Sequence, residues 1–435
     1  MLQSLIGSRR YLAWGGWLVV FSLEARLSAE TIIPSVAAKS AGRGGANLAF
    51  SDNGFLLHDN PAGLLGACQA CPDGSTGLFD ANVAGLFPDI EYSDPENPGV
   101  SASNDPFGMG AFTIARKIDE DWAFGFGVYS PAGFGTRWNL EGPPGPLAGP
   151  QFYKSLGMLV RILPGVAYQA TDRLRLGANL GVALSHVELE GPYFLNSLPL
   201  AGTPTQIDLQ TTGAALTWAA GLQYQATESL VLAARYQSQN RFQNDGNGRV
   251  AIPGLGTSAY DLQMDIVWPR SAGVGCQYAL SPSRRVGIDV DWQQWSTAKD
   301  EIGLRFRDPD NPLFLAVAGP EIRESVPLRW RDNVVIRSGF EQDLSPVHTL
   351  RVGYGFNSDA IRSQTSSVYL PTNLMHYLST GLTWRRCRWE YNLGYQYSFR
   401  PTLHLGDSSL AGDDFSNASL RTQAHWLFLG ASKSF

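Results

Sequence analysis

The sequence predicts an all-β protein: a transmembrane antiparallel β-barrel of fourteen strands, with a small N-terminal segment of short helices plugging its lumen. Three observations carry that prediction. Runs of alternating apolar and polar residues recur from about Gly77 to the C-terminus. Six short polar turns alternate with seven long connections, which makes the strand count even. A stretch before them, 30–72, shares none of this alternation.

Taken in order, the chain opens on an export signal. Arg9 and Arg10 precede the apolar run Tyr11 to Leu23, and small residues lead to Ala29, the expected cleavage point. The apolar core is too short and too Gly-interrupted for a membrane anchor. Removing 1–29 takes away Arg9, Arg10 and Arg26 against Glu24, a net +2, so the −6 of the whole chain becomes −8. An acidic exported protein has no electrostatic footprint for nucleic acid.

Residues 30–72 are rich in Ala and Gly and hold only short helices. Such a segment is too small for a core of its own, so it is disordered or packs inside something else. Cys68 and Cys71 form a C-x-x-C, which reads after export as a tight disulfide. No βαβ context supports a redox centre, and a zinc site would need two more ligands where only His58 is near. Cys276 and Cys387 are isolated.

From 73 to 435 the chain reads as barrel. Its clearest strand is Trp389–Arg400: Trp389, Tyr391, Leu393, Tyr395, Tyr397 and Phe399 alternate with Glu390, Asn392, Gly394, Gln396, Ser398 and Arg400. A tilted strand needs about 9–11 residues to cross a bilayer, and a strand in lipid must close into a barrel to pair its backbone. Leu174–Ser185, Val286–Gln293 and Leu350–Asn357 alternate in the same way, with Gly and other small residues on the polar face. That face leaves room for a plug.

The turns fall at 118–121, 171–173, 227–229, 281–284, 344–347 and 385–387. The long connections fall near 89–105, 132–154, 190–211, 241–258, 297–330, 358–375 and 401–420. Thirteen connections join fourteen strands, with both ends on one side, as in bacterial single-chain barrels. Phe435 closes the last strand, Thr422 to Phe435.

Enzyme chemistry finds no support. His58, His186, His348, His376, His404 and His425 are scattered, with no H-E-x-x-H and no G-x-S-x-G. The oxygen-rich stretches 244–248 and 308–311 have the composition of turns as well as of Ca²⁺ loops. No cofactor is expected.

Ser40 to Leu65, SAGRGGANLAFSDNGFLLHDNPAGLL, resembles the N-terminal hatch of the FadL/TodX family of outer-membrane transporters for long-chain fatty acids and hydrocarbons. The hatch signature is matched by Asn60, Pro61 and Ala62, followed by Gly63. Asp121 to Asn139 resembles the family's third strand, and Leu350 to Ile361 and Ser366 to Trp384 resemble later segments, so the likeness runs from about residue 35 to the C-terminus.

The resemblance implies a hatch-gated transporter in the bacterial outer membrane, working as a monomer. Its implied partners are a hydrophobic small molecule, outer-membrane lipid and the barrel-assembly machinery. It also implies a third strand kinked inward, through which cargo leaves sideways. Ser130, Pro131, Ala132 and Gly133 break the alternation of Trp122, Phe124, Phe126 and Val128 at the matching place, where Pro cannot donate and Gly permits a bulge. Phe126, Tyr129 and Phe134 are then expected beside the cargo. Fatty-acid members hold the carboxylate with basic residues, one near the outer end of the fifth strand. Here that region, His186 to Tyr193, carries Glu188 and Glu190, which would repel a carboxylate if they faced the site, and this favours uncharged cargo. Arg161, Arg175 and Arg351 are expected to pair with lumen acids or brace the hatch. The alternative is a general diffusion porin for polar solutes, which has no use for 30–72.

Overall fold

The structure, a computed structural model, describes residues 35–69, 74–103, 105–142, 145–197, 199–370, 374–413 and 415–435. The expected export signal and Cys71 lie outside these residues. Fourteen antiparallel strands close into one barrel. The first six are Gly77–Ser93, Phe107–Lys117, Trp122–Gly142, Gly149–Thr171, Leu174–Phe194 and Pro204–Gln225. The seventh and eighth are each interrupted, as Leu230–Gln237 with Asn240–Ile252 and Gly256–Trp268 with Ser271–Ser281. The rest are Arg284–Gln293, Asn333–Ser345, His348–Asn357, His376–Arg386, Trp389–Phe399 and Ser419–Ser434. The first and last pair from Leu78 opposite Ser434 to Ser93 opposite Ser419, which leaves the cylinder without an edge.

The alternation sets which way each side chain points. On the thirteenth strand Trp389, Tyr391, Leu393 and Tyr395 are exposed, while Asn392, Gly394, Gln396 and Ser398 are buried. An exposed apolar band with a polar interior is the arrangement that lipid outside and a polar bore require.

Several expected connections are strand instead. The supposed loop at 132–154 is mostly ladder, Ala132 opposite Leu159 through Gly142 opposite Gly149. The 241–258 region is a hairpin closed by Gly256 opposite Ile252. The 297–330 region holds a second hairpin, Glu301–Arg307 with Glu321–Pro327, around a helix Pro312–Ala318. Gly and Pro mark loops only statistically, because a partner strand can impose pairing on either composition.

In these extensions the alternation reverses sign. Leu262, Met264, Ile266 and Trp268 are buried, as are Trp138 and Leu140, whereas Asn139 and Glu141 are exposed. Above the membrane, water lies outside and the apolar residues turn inward.

The N-terminal segment lies inside the bore. Its helices are Ala38–Gly42 (α1), Leu56–Asp59 (α2) and Gly63–Gln69 (α3). Asn60 ends α2 in an extended conformation, φ −155° and ψ 99°, as a residue before proline prefers. The wall glycines make the fit possible. A Cβ at Gly177 would collide with the backbone of Pro61 and Ala62, and one at Gly353 with Arg43 and Gly44. Cys68, at the end of α3, is buried.

Candidate functional site: a gap in the wall and the cavities behind it

The second strand pairs with the first from Phe107 to Arg116, but with the third only from Ala111 to Lys117. The third strand follows the fourth on both sides of a bulge. Tyr129 faces Arg161 and Ala132 faces Leu159, so one extra residue is inserted. One extra residue inverts the faces of the strand beyond it. Tyr129 points into the bore before the bulge, and Thr136 and Trp138 do so after it. From Ser130 onward the third strand has left the second. Farther up, the Ser103 N–H donates to the Arg137 carbonyl at 2.9 Å. Between the Ala111–Tyr129 rung and that bond, no rung joins the two strands among the described residues.

Ser130, Pro131, Ala132 and Gly133 all lie at this gap. Pro131 and Ala132 also line an inner cavity of ≈80 Å³. Tyr129 is fully buried at the inner edge, where its hydroxyl and that of Thr113, diagonal to it on the second strand, lie 2.6 Å apart. Phe134 lines a second cavity, nearer the outer end. Phe126 corrects the expectation of a lining role. It shares the outward face with exposed Trp122 and Phe124 and packs on Phe112, ring centroids 6.3 Å apart.

The hatch touches this edge directly. Phe55 meets the Tyr129 ring edge-on at 5.9 Å, and the His58 ring lies 5.2 Å from it. His58 Nδ1 is 2.9 Å from Asp59 Oδ1, and its Nε2 is 3.4 Å from the Arg161 guanidinium. Burial, aided by Arg161 and Arg235, pushes His58 below its ordinary value despite Asp59. The signature residues Asn60, Pro61, Ala62 and Gly63 are buried under the wall. The Asn60 side-chain amide donates to the carbonyls of Leu48 (2.8 Å) and Leu222 (3.1 Å), and its Oδ1 accepts from the Ala62 N–H at 3.3 Å.

On the opposite wall the same segment is held by charge. Lys39 pairs with Glu390, and Arg43 with Asp52 at 2.8 Å and Glu341 at 3.4 Å. Arg285 pairs with Asp52 at 3.1 Å and with Glu341, and Arg351 with Glu341 at 2.5 Å. Burial would raise the Asp52 carboxyl, but Arg43, Lys39 and Arg285 together hold it well below the usual range. Of the three arginines singled out in the sequence, Arg351 thus pairs with a lumen acid. Arg175 braces the hatch through Gln69 (3.2 Å) and Ser51 (3.5 Å). Arg161 bonds to Asn240 at 3.0 Å and contacts His58, and it forms no ion pair among the described residues.

The outer cavity, ≈110 Å³, sits among the outer hairpins and loops and is lined by apolar side chains such as Val187, Leu189, Met264 and Ile266. Lys299 is the cation in its lining, and burial lowers the ammonium to about 7. Glu188, one of the two glutamates that would repel a carboxylate if they faced the site, does not line this cavity. Val187 and Leu189 line the cavity, whereas Glu188 is turned away to Lys154 (2.5 Å) and His186 (3.0 Å). The period of two decides this, because adjacent residues of a strand point to opposite faces.

The sequence reading missed the cavity residues of the eighth strand and the hairpin after it. Their signal was present: Leu262, Met264 and Ile266 alternate with Gln263 and Asp265, and the run continues through Val267 and Trp268 to stop at Pro269. Nothing local says that their apolar face points inward.

A family model described as outer membrane protein transport protein (OMPP1/FadL/TodX) matches residues 20–430. No curated protein matches in sequence. Among solved structures, the Pseudomonas putida toluene transporter TodX aligns with a TM-score of 0.74 at 17% identity, over 94% of this chain and 100% of that one. A Pseudomonas aeruginosa FadL homologue aligns at 0.73 and 15%, over 94% and 100%. The Ralstonia pickettii toluene transporter TbuX aligns at 0.72 and 18%, over 92% and 98%. At these identities the likeness speaks for the fold.

Proposed function

The chain belongs to the OMPP1/FadL/TodX family of outer-membrane transport proteins, and we propose that it passes small hydrophobic compounds sideways into the membrane through the gap above Tyr129. The observation that carries this reading is the broken ladder: the second strand loses its partner where Pro131 and the bulge turn the third strand aside.

Cargo enters the apolar cavity among the outer loops. It then moves to the inner cavity, where the hatch, Pro131 and Ala132 share one space. Each buried CH₂ favours the apolar side by about 0.8 kcal/mol, so a water-filled exit would oppose release and an exit into lipid would not. The hatch closes the direct way down the bore. Phe55 and His58, resting on Tyr129, place it where its movement changes the gap.

The size of the outer cavity, ≈110 Å³, suits a single aromatic ring. A dry cavity of about 150 Å³ takes up benzene. TodX and TbuX are named as toluene transporters, and a toluene-like hydrocarbon is the first reading for this chain. Lys299 favours a second reading, an amphipathic acid whose carboxylate meets the ammonium at the cavity wall. A general porin is disfavoured because residues 35–69 fill the bore.

Deleting Pro131 removes the extra residue and lets the third strand regain one register along its length. Uptake of labelled toluene by cells carrying this variant is expected to fall to the level of cells without the protein, with the barrel still folded by its heat-modifiable migration on gels. Undiminished uptake by a folded variant would refute lateral exit.

A further inference from the structure

The two cavities share one lining residue, Trp268. It ends the upper part of the eighth strand, where Pro269 removes the next backbone donor and pairing lapses until Ser271. The indole is 3% exposed. Its centroid is 6.1 Å from that of Trp295, which lies 4.9 Å from that of Trp330, and Lys299 Nζ is 5.5 Å from its ring centre. Trp268 therefore stands where the apolar outer cavity adjoins the inner cavity beside Pro131 and Ala132.

A second observation concerns its chemistry. The Trp268 indole N–H is buried and meets no acceptor among the described residues. Buried indole donors normally find one, and leaving such a donor unmet is costly. A donor kept unmet at the junction of two cavities is available to whatever passes between them.

We propose that Trp268 is the internal door of the transport path, and that its N–H reads cargo by donating to an oxygen on the molecule in the doorway. The proposal rests on the transport reading above. In the closed position the ring keeps each cavity to about the size of one small ring or less. A ring swing joins them, so every cargo waits on the door, and cargo larger than one ring needs it open widest. A hydrocarbon passes without using the donor. An aromatic alcohol, whose hydroxyl oxygen accepts, is held at the partition.

The test uses the full-length protein in cells lacking other transporters of this kind, with toluene, benzyl alcohol and naphthalene as labelled probes. Trp268→Phe keeps a ring and removes the donor. It is expected to raise the half-saturating concentration for benzyl alcohol about fivefold, the factor one neutral hydrogen bond supplies, and to leave that for toluene unchanged. Trp268→Ala is expected to raise naphthalene uptake severalfold relative to toluene. If both variants keep the native ratios among the three probes, Trp268 is not the door, and transport itself stands. If the native protein raises uptake of none of the probes, the transport reading fails and the door with it. Should the alanine variant not reach the membrane, the phenylalanine variant alone decides.

Discussion

Across the bore, strands nine to thirteen meet the hatch with charge, and strands two to six meet it with apolar side chains and neutral partners. On the first side stand Glu390, Glu341, Arg285 and Arg351, facing Lys39, Arg43 and Asp52. Asp289 also accepts from the backbone N–H groups of Asn47 (2.7 Å) and Leu48 (3.0 Å). On the second side Phe55, Leu57, Leu64 and Leu65 pack with Ala115, Ala123, Leu163 and Ala167. Side-chain amides of Asn179 and Gln223 reach hatch carbonyls at 2.7–2.9 Å. Arg175 is a cation on this wall, but its hatch partners are neutral.

The difference matters because the two kinds of contact fail differently. Separating a buried ion pair leaves a charge unmatched in a poor solvent, so the geometry is held tightly. Apolar contacts are non-directional and survive small slides. The gap lies on the slidable side. A hatch anchored at one wall and loosely bedded at the other would move most where Tyr129, His58 and Pro131 meet.

The strongest way to break this comparison is Glu341→Ala. It takes the carboxylate from Arg43, Arg285 and Arg351 together. The expected cost is about 3–5 kcal/mol, as for one partner lost from a buried pair. Hydrogen exchange should show it as faster exchange across α1 and the loop to Asp52, with α3 little changed. Unchanged exchange in α1 would mean that charge does not anchor this wall.

Asn60→Ala is the smaller, complementary cut. It removes the side-chain donors to Leu48 and Leu222 and the acceptor of the buried Ala62 N–H, while the Leu48 carbonyl keeps the Gln223 amide. About 1–3 kcal/mol is expected. The faster exchange should now fall on α2 and α3, with α1 still protected by its ion pairs. Equal loosening of both ends would show that the hatch moves as one body, and the distinction between the walls would lose its meaning.

How much of this was legible beforehand follows from periodicity. The strand Trp389–Phe399 and the short turns could be read because a period of two and a tight polar turn are local signals. The burial of residues 35–69 could be inferred from what they lack, since a segment without a core needs a host. The sign of the alternation could not be read. Phe126 and Tyr129 sit three residues apart, on opposite faces, and nothing local distinguishes lipid from bore. Likewise Glu188 and Val187 are neighbours, and only the register of the fifth strand decides which one meets the cavity. The ion pairs of the hatch join positions as far apart as Arg43 and Glu341, a relation that spacing along the chain cannot show.

The mildest probe of the two walls is pH, because acid loosens both but in different ranges. His58 is buried and held below its ordinary value of 6.5, facing Asp59, Arg161 and Arg235. As pH falls through 6.5 the unfolded chain takes up a proton that the folded hatch refuses. Stability on the side of the gap therefore declines from there down to the folded value, and then levels. Asp52 is held well below its ordinary 3.8. Its contribution is complete above 3.8 and is lost only as pH falls below that value toward the folded one. Between about pH 7.5 and about pH 5, the range in which histidine titrates, exchange at α2 relative to the intrinsic rate at each pH should rise while that of α1 stays constant. His58→Gln should remove the rise. If α1 loosens first, or if the rise persists in that variant, the slidable side is not the one that His58 senses, and the movement of the hatch must be set by the charged wall instead.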